Sequence, residues 1–222
     1  MKQEKIYHQL QQLQQHYRKE NRSHYLIACK DEHLQKAAKN LHGYFTEKHF
    51  LKTLELPAFE EEQEIDRPEA FMKFQCLVQN NTNNVITAIE KTTISDFLII
   101  LGQRVTPATV RSIEALPPLH TNVFKASFVA HNTQISKAVR AFEKHAERST
   151  QSFWGTVKGN PKQKETHVQQ LIIQLLENTT WWNVFYHYKH EFIYEVRIAS
   201  GHGARWKKSN LEFIGFVEPF IG

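Results

Sequence analysis

The stretch of the sequence best equipped for chemistry runs from Ser200 to Lys208, where two glycines flank a histidine directly after a predicted strand. Gly201 and Gly203 permit positive φ and a close backbone approach, so this loop can turn several N–H groups toward an anion. The side chains that would complete such a site are Arg197, Ser200, His202, Arg205, Trp206 and Lys207. The spacing predicts a phosphate or carboxylate site, and the alternative is a hairpin turn with incidental polar residues.

Strand alternation adds a polar patch next to this loop. Glu195 and Arg197 share one face of a predicted strand, and His187 and Lys189 share a face of the strand before it. If the two strands pair, Glu195 and Arg197 would meet His187 or Lys189 across the pair. The result is either a cross-strand ion pair or a catalytic cluster. In the cluster, His202 or His187 is the general acid or base and Glu195 orients it.

Known chemical motifs are absent from the sequence. It has no dinucleotide-binding glycine fingerprint, no P-loop, no Gly-x-Ser-x-Gly elbow and no His-Glu-x-x-His. The 13 histidines are scattered without the spacing of metal ligands, so no metal and no cofactor is expected. Cys29 and Cys76 lie in apolar runs, where a thiol is typically a small buried hydrophobe.

Basic residues fall into two blocks, residues 1–54 and 104–180, each with 10 basic and 5 acidic residues. The formal net charge is +5, and Lys137, Arg140, Lys144 and Arg148 recur at the spacing of one helical face. Together with the basic residues of the Ser200–Lys208 loop they predict an anionic partner, namely RNA, DNA or a nucleotide. Residues 57–69 are strongly acidic by contrast, and predict a solvated loop or an arm that docks onto a partner.

Periodicity predicts the elements that must position these residues. Ile6, Leu10, Leu13 and Tyr17 form the stripe of an amphipathic helix over 1–20. Residues 25–29, 71–79, 94–101 and 123–129 have the composition of strands, and helices are expected around 135–142 and 168–176. From residue 179 to 222 the period changes to two and aromatic residues accumulate, which predicts a β-meander.

These patterns define the fold class and exclude several others. The interspersed helices and strands predict a single α+β domain over 1–222 with a mixed or antiparallel sheet. The longest apolar run, residues 97–101, is far too short for a membrane span, so no membrane partner is expected. The first residues lack the apolar core of a secretory signal, which predicts a cytoplasmic protein, with non-classical export left open.

Three functions remain open from the sequence. The first is binding of a phosphate-bearing ligand through the glycine-rich loop and its arginines. The second is an enzyme that transfers or hydrolyses a phosphoryl or glycosyl group on the same surface. The third is an interaction module that contacts another protein through residues 1–20 or through the acidic loop.

Overall fold

The architecture comes from a computed structural model that describes residues 2–79, 85–146, 152–156, 158–189 and 191–220. Contacts between residues divide the chain into two compact units. The first unit comprises Met1–Leu54 and Glu62–Pro117, and the second comprises Glu55–Glu61 and Pro118–Gly222. The prediction of a single domain over 1–222 stays a prediction. No helix in the described ranges has both the length and the apolar character needed to cross a membrane.

The first unit is helical. Its helices are α1 (Gln3–Lys19), α2 (Asp31–Thr46), α3 (Arg67–Met72), α4 (Val85–Ile89) and α5 (Ile94–Ile100). Short 3-10 turns cover Tyr25–Ala28, Phe50–Leu54, Gln75–Leu77 and Ile113–Ala115. The apolar stripe of α1 is buried as its period predicts, and α1 packs along α2.

The strand predicted at residues 94–101 is wrong, because this segment is helix α5. A local cap decides its conformation. The backbone N–H of Asp96 donates to Oγ1 of Thr93, and the Asp96 carboxylate accepts the N–H of Thr93 at 2.8 Å. An apolar run buried on all sides shows no period that separates a short helix from a central strand, so this reciprocal cap was the deciding signal.

Three other strand predictions are also wrong. Residues 71–79 contain the end of α3 and the 3-10 turn Gln75–Leu77. Residues 25–28 form a 3-10 turn whose first orphan N–H, that of Leu26, is taken by the ring of His24. Residues 123–127 belong to helix α6 (His120–Ser127) of the second unit. All three segments are short and largely apolar, and composition alone does not separate a strand from a helical turn in such runs.

The second unit is an antiparallel sheet with helices packed on one face. Helices α7 (Lys137–Ala146) and α8 (Pro161–Glu177) follow α6. The strands are β1 (Thr179–His187), β2 (Glu191–Ile198), β3 (Gly203–Lys207) and β4 (Phe213–Val217), in the spatial order β1-β2-β3-β4. The predicted α+β class and the aromatic-rich C-terminal meander are therefore confirmed.

The core of this unit lies between the helices and the inner face of the sheet. Helix α7 packs on β4, and α8 packs on β2 and β3. Trp206 is fully buried on this face, and its indole N–H donates to Oγ of Ser127 in α6 at 2.9 Å. Tyr194 and Phe213 flank the Trp206 ring on the neighbouring strands. Because side chains alternate across a strand, the residues between these aromatics point to the outer face.

Gly203 is required by close packing where β3 begins. A Cβ at this position would fall on the carbonyl oxygen of Val196 in β2. We expect Gly203→Ala to lower the free energy of unfolding by about 1–3 kcal/mol, because backbone atoms cannot move aside as a flexible side chain can. Thermal melting should fall by about 5 °C or more, whereas Ala199→Ser at an exposed position should leave it nearly unchanged. Equal melting of the two variants would mean that β2 and β3 can separate enough to admit a Cβ at no cost.

Candidate nucleic-acid site

A single carboxylate joins two histidines in the second unit. Oε1 of Glu218 lies 2.8 Å from Nε2 of His145 and accepts the indole N–H of Trp154 at 2.9 Å. Oε2 of the same side chain lies 3.5 Å from Nε2 of His202. The four side chains form what we call the Glu218 cluster, in which the carboxylate hydrogen-bonds the imidazole of His145 and lies beside that of His202.

The elements of the second unit bring these residues together from distant parts of the chain. His145 lies in the last turn of α7, and Glu218 directly follows β4, along which α7 packs. His202 lies in the connection between β2 and β3, where Gly201 adopts a φ of 88°. Trp154 is fully buried in a short 3-10 turn before α8. Tertiary packing, rather than any local motif, therefore builds the cluster.

His202 is held in an enclosed and largely apolar environment. Only 6% of the residue is exposed, and its ring stacks on Phe153 with a centroid separation of 3.8 Å. Its Nδ1 lies 2.9 Å from Oγ of Ser200. Burial lowers the pKa of His202 below its ordinary value, and the nearby charge of Glu218 opposes that shift only in part. Burial therefore favours the neutral form of His202.

His145 connects the Glu218 cluster to an open basic groove. The groove has a volume of about 380 Å³. Its walls are His131 and the α7 side chains Lys137, Arg140, Lys144 and His145, and its floor is β4 residues 213–216. The fourth cation of the predicted helical row, Arg148, lies outside the described residues. Exposed cations along an open groove are the typical footprint of a phosphate backbone.

The cations of the groove differ in how much of their charge is available. Lys137 and Lys207 both pair with Glu212, at 2.9 and 2.7 Å. The hydrogen bonds and positive charge of Lys207 and Lys137 lower the pKa of Glu212 to about 2. Within the described ranges, Lys144 forms no ion pair, in contrast to its neighbours on α7. Lys144 is therefore the groove cation best placed to take up a new anion.

Glu195, Arg197 and Arg205 lie together on the outer face of the sheet, as the alternation pattern predicts. Glu195 accepts from Nε of Arg197 at 2.5 Å and also pairs with Arg205. The strand register places Glu195 opposite Asn183 and Arg205, so its expected contact with His187 or Lys189 is wrong. The reason is the short turn between β1 and β2, which fixes the register with His187 opposite Glu191.

Arg197 has a different setting from the one expected of a phosphate ligand. The residue is 3% exposed, and Phe220 lies on its guanidinium with 3.7 Å from Cζ to the ring centroid. Nη1 donates to the carbonyl oxygens of Gly201 and Glu218, both at 2.6 Å. Arg197 therefore fixes the backbone on both sides of the Glu218 cluster, beside His202 and at Glu218 itself.

The remaining predicted site residues occupy several environments. Ser200 and His202 belong to or contact the Glu218 cluster, and Gly201 and Gly203 shape the backbone around it. Trp206 lies in the core, Lys207 pairs with Glu212, and the side chain of Arg205 is about one-third exposed. His187 lies at the opposite end of the ladder, about 20 Å away along β2. The binding or catalytic roles proposed for these residues stay predictions.

Sequence reasoning missed His145 and Glu218. His145 lies in the basic helix that the charge pattern singled out, but its partner carboxylate is 73 residues further along the chain. The only signal in the sequence was that His145 lies near the end of a predicted helix and Glu218 near the end of a predicted strand. Among the described residues, no group of three His, Cys, Asp or Glu side chains is arranged to hold a metal ion.

The geometry defines a small α+β unit whose basic groove ends at a carboxylate-linked histidine pair. Residues 125–218 match a protein family described as the CdiA C-terminal tRNase toxin domain. The matched segment is less than half of the chain and contains the whole Glu218 cluster, the groove side chains and all four strands. This similarity agrees with nucleic acid as the general class of partner. No curated protein and no solved structure matches the chain.

The environment of His202 predicts a pH dependence of stability. Its folded-state pKa is lowered by burial, so the unfolded chain binds more protons below the ordinary histidine pKa of about 6.5. We expect the free energy of unfolding to fall as the pH drops through about 6.5, and to fall less in His202→Asn. Melting at about pH 7.5 and about pH 5 measures this difference.

His49→Asn provides the matched control for that measurement because His49 is exposed. The control should keep the pH dependence of the wild-type chain. If His202→Asn keeps it as well, burial of a neutral His202 is not its source.

Proposed function

We propose that the second unit is a ribonuclease that cleaves tRNA or a similar RNA at the end of the basic groove. The observation that carries this proposal is the contact between Glu218 and His145, because it orients an imidazole directly beside a row of cations. The similarity of residues 125–218 to a tRNase toxin domain supports RNA as the substrate class. Similarity to a family does not by itself establish a mechanism, so the mechanism is argued from the residues of the groove.

His145 is the group best placed to act as a general base. It lines the groove, and its side chain is 21% exposed, whereas His202 is enclosed by Phe153 and Trp154. A carboxylate that accepts a hydrogen bond from Nε2–H fixes the tautomer in which the other nitrogen, Nδ1, is unprotonated and can take a proton from the substrate. Glu218 thus acts as the positioning residue for His145, and the indole N–H of Trp154 holds Glu218.

The chemistry follows from the substrate itself, since RNA carries its own nucleophile. His145 removes the proton of a ribose 2′-hydroxyl, and the 2′-oxygen forms a bond to the adjacent phosphorus. The bond from phosphorus to the 5′-oxygen of the next nucleotide breaks, and that oxygen takes a proton from water in the open groove. The hydroxide that remains takes up the proton held by His145, which restores the neutral base. The products are a 2′,3′-cyclic phosphate and a 5′-hydroxyl end. Lys144 and Arg140 bind the phosphate and offset the negative charge that develops on its oxygens.

The first test of this function removes the base. We expect His145→Ala to lower the rate of tRNA cleavage by about 100-fold or more, because general base catalysis typically contributes that much. Glu218→Gln keeps the shape of the side chain but not its charge, and should lower the rate less. Gel analysis of cleaved tRNA measures both effects, with circular dichroism as the check on folding.

His49→Ala is the control for that experiment, since His49 is exposed in the first unit. It should cleave as the wild-type chain does. Full cleavage by a folded His145→Ala protein would remove His145 from the mechanism. Such a result, with cleavage lost in His202→Ala, would favour the sequence-based assignment of His202 as the acid or base.

The second test concerns the groove cations. We expect Lys144→Ala to weaken tRNA binding and to lower the slope of log affinity against log salt by about 0.7–0.9, the release of one counterion. Fluorescence anisotropy in a salt series measures this slope. Lys48→Ala removes an exposed lysine from the first unit and should leave the slope unchanged. An identical slope for all three proteins would mean that RNA does not bind along α7.

A further inference from the structure

The hairpin tip between β1 and β2, residues 186–189, displays large aromatic side chains to solvent. Tyr186 is 58% exposed and Tyr188 is 76% exposed, whereas Trp182 and Tyr194 on the same two strands are buried. The ring of His187 stacks on Tyr188 with a centroid distance of 4.9 Å and an interplanar angle of 20°. Nζ of Lys189 lies 5.3 Å from the centroid of the Tyr188 ring.

This hairpin tip combines the features of a platform for nucleobases. Exposed aromatic faces stack on unpaired bases of any sequence, and a nearby cation attracts the backbone that carries the bases. The stacked rings of His187 and Tyr188 are ordered by each other before any ligand arrives, which reduces the entropy that binding would cost. The rings of Tyr186 and Tyr188 are exposed, so they do not contribute to the core of the unit.

The hairpin tip is continuous with the basic end of the groove. Tyr186 opposes Phe192 on β2, and the N–H of Lys208 donates to the carbonyl of Phe192 at 2.7 Å. Lys207 opposes Ile193, and it shares Glu212 with Lys137, the first cation of the groove. The shared carboxylate of Glu212 and the backbone of Lys208 therefore connect the first cation of the groove with the strand that opposes Tyr186.

The distances in the unit set the length of RNA that this path can hold. Helix α7 runs beside β4 with Lys137 near Glu212 and His145 near Glu218, so the groove is about 12 Å long. Three strand spacings, about 14 Å, separate β4 from β1. Tyr186 alternates with Asn183 and Phe185 and so points to the inner face, the face on which α7 packs. A dinucleotide in the groove cannot reach the tip, but a longer single strand can.

We propose that the hairpin tip binds unpaired bases of the RNA that flank the cleaved bond, by stacking on Tyr186 and Tyr188. This inference rests on the proposed function, since it assumes that RNA occupies the groove. It predicts that the site prefers RNA in which the segments beside the cleaved bond are single-stranded, because paired bases do not expose their faces. The preference is tolerant of sequence, since stacking does not read base edges.

The test uses the full chain with His145→Ala, so that RNA stays intact during binding. A single-stranded RNA of about twelve nucleotides, which spans groove and tip, should bind about 10-fold or more weakly when Tyr186→Ala and Tyr188→Ala are added. Tyr188→Phe is the matched control, because it keeps the ring and removes only the hydroxyl, and it should bind like the parent. A fully paired duplex of the same length should lose less than about 2-fold, as should a dinucleotide.

Three results would overturn the proposal: unchanged affinity of the double alanine variant for the single strand, an equal loss for the duplex, or an equal loss in Tyr188→Phe. Thermal melting of each variant excludes unfolding as the cause. The result also separates this inference from the proposed function. Failure of the wild-type chain to cleave any RNA would refute the nuclease, whereas these binding data decide the role of the tip independently.

Discussion

The buried ion pair of Arg197 and Glu195 is the interaction on which the arrangement of the second unit depends. The guanidinium of Arg197 donates to Glu195 and to the carbonyl oxygens of Gly201 and Glu218. These hydrogen bonds connect β2 to the two segments that carry His202 and the Glu218 carboxylate. Burial lowers the pKa of Arg197, and the Glu195 carboxylate opposes the shift, so the guanidinium stays charged. Loss of one partner of such a pair typically costs about 3–5 kcal/mol, because the other charge stays buried without compensation.

This constraint explains why the charges of the unit fall into two groups with different uses. On the outer face of the sheet, Arg197 and Arg205 pair with the buried carboxylate of Glu195, and Arg197 also donates to two backbone carbonyls. These arginines therefore stabilise the fold. Along α7, the apolar residues Ala138, Val139 and Phe142 are buried and the cations face an open groove. Only the cations along α7 can exchange their counterions for a polyanion while the surrounding structure stays folded.

The sequence predicted the fold best where a strong period spans a whole element. The helices α1 and α8 and the aromatic meander follow from spacing alone, because each has a long amphipathic or alternating pattern. The strand prediction at residues 94–101 was wrong because a short apolar run has no period that distinguishes a strand from a helix. The cap at Thr93 decides for the helix. The predicted contacts of residues 1–20 and of the acidic loop with a protein partner stay predictions.

The candidate site was predicted in part for related reasons. Alternation placed Glu195 and Arg197 on one face, but the hairpin turn set a register in which Glu195 lies opposite Asn183 and Arg205 rather than His187 or Lys189. His202 was singled out by its glycines, which do shape its loop. Its link to His145 through Glu218 depends on how α7 lies beside β4, and no local spacing in the sequence reports the packing of elements so far apart in the chain.

The central claim, that an imidazole oriented by Glu218 activates the ribose of RNA, is tested most directly by the chemistry of the cleaved ends. Mass spectrometry of tRNA incubated with the full chain would identify them. We expect 2′,3′-cyclic phosphate on one fragment and 5′-hydroxyl on the other, and no cleavage where the ribose is replaced by 2′-deoxyribose. Fragments with 3′-hydroxyl and 5′-phosphate ends, or cleavage at a deoxyribose, would contradict the claim, because neither requires the 2′-oxygen as nucleophile.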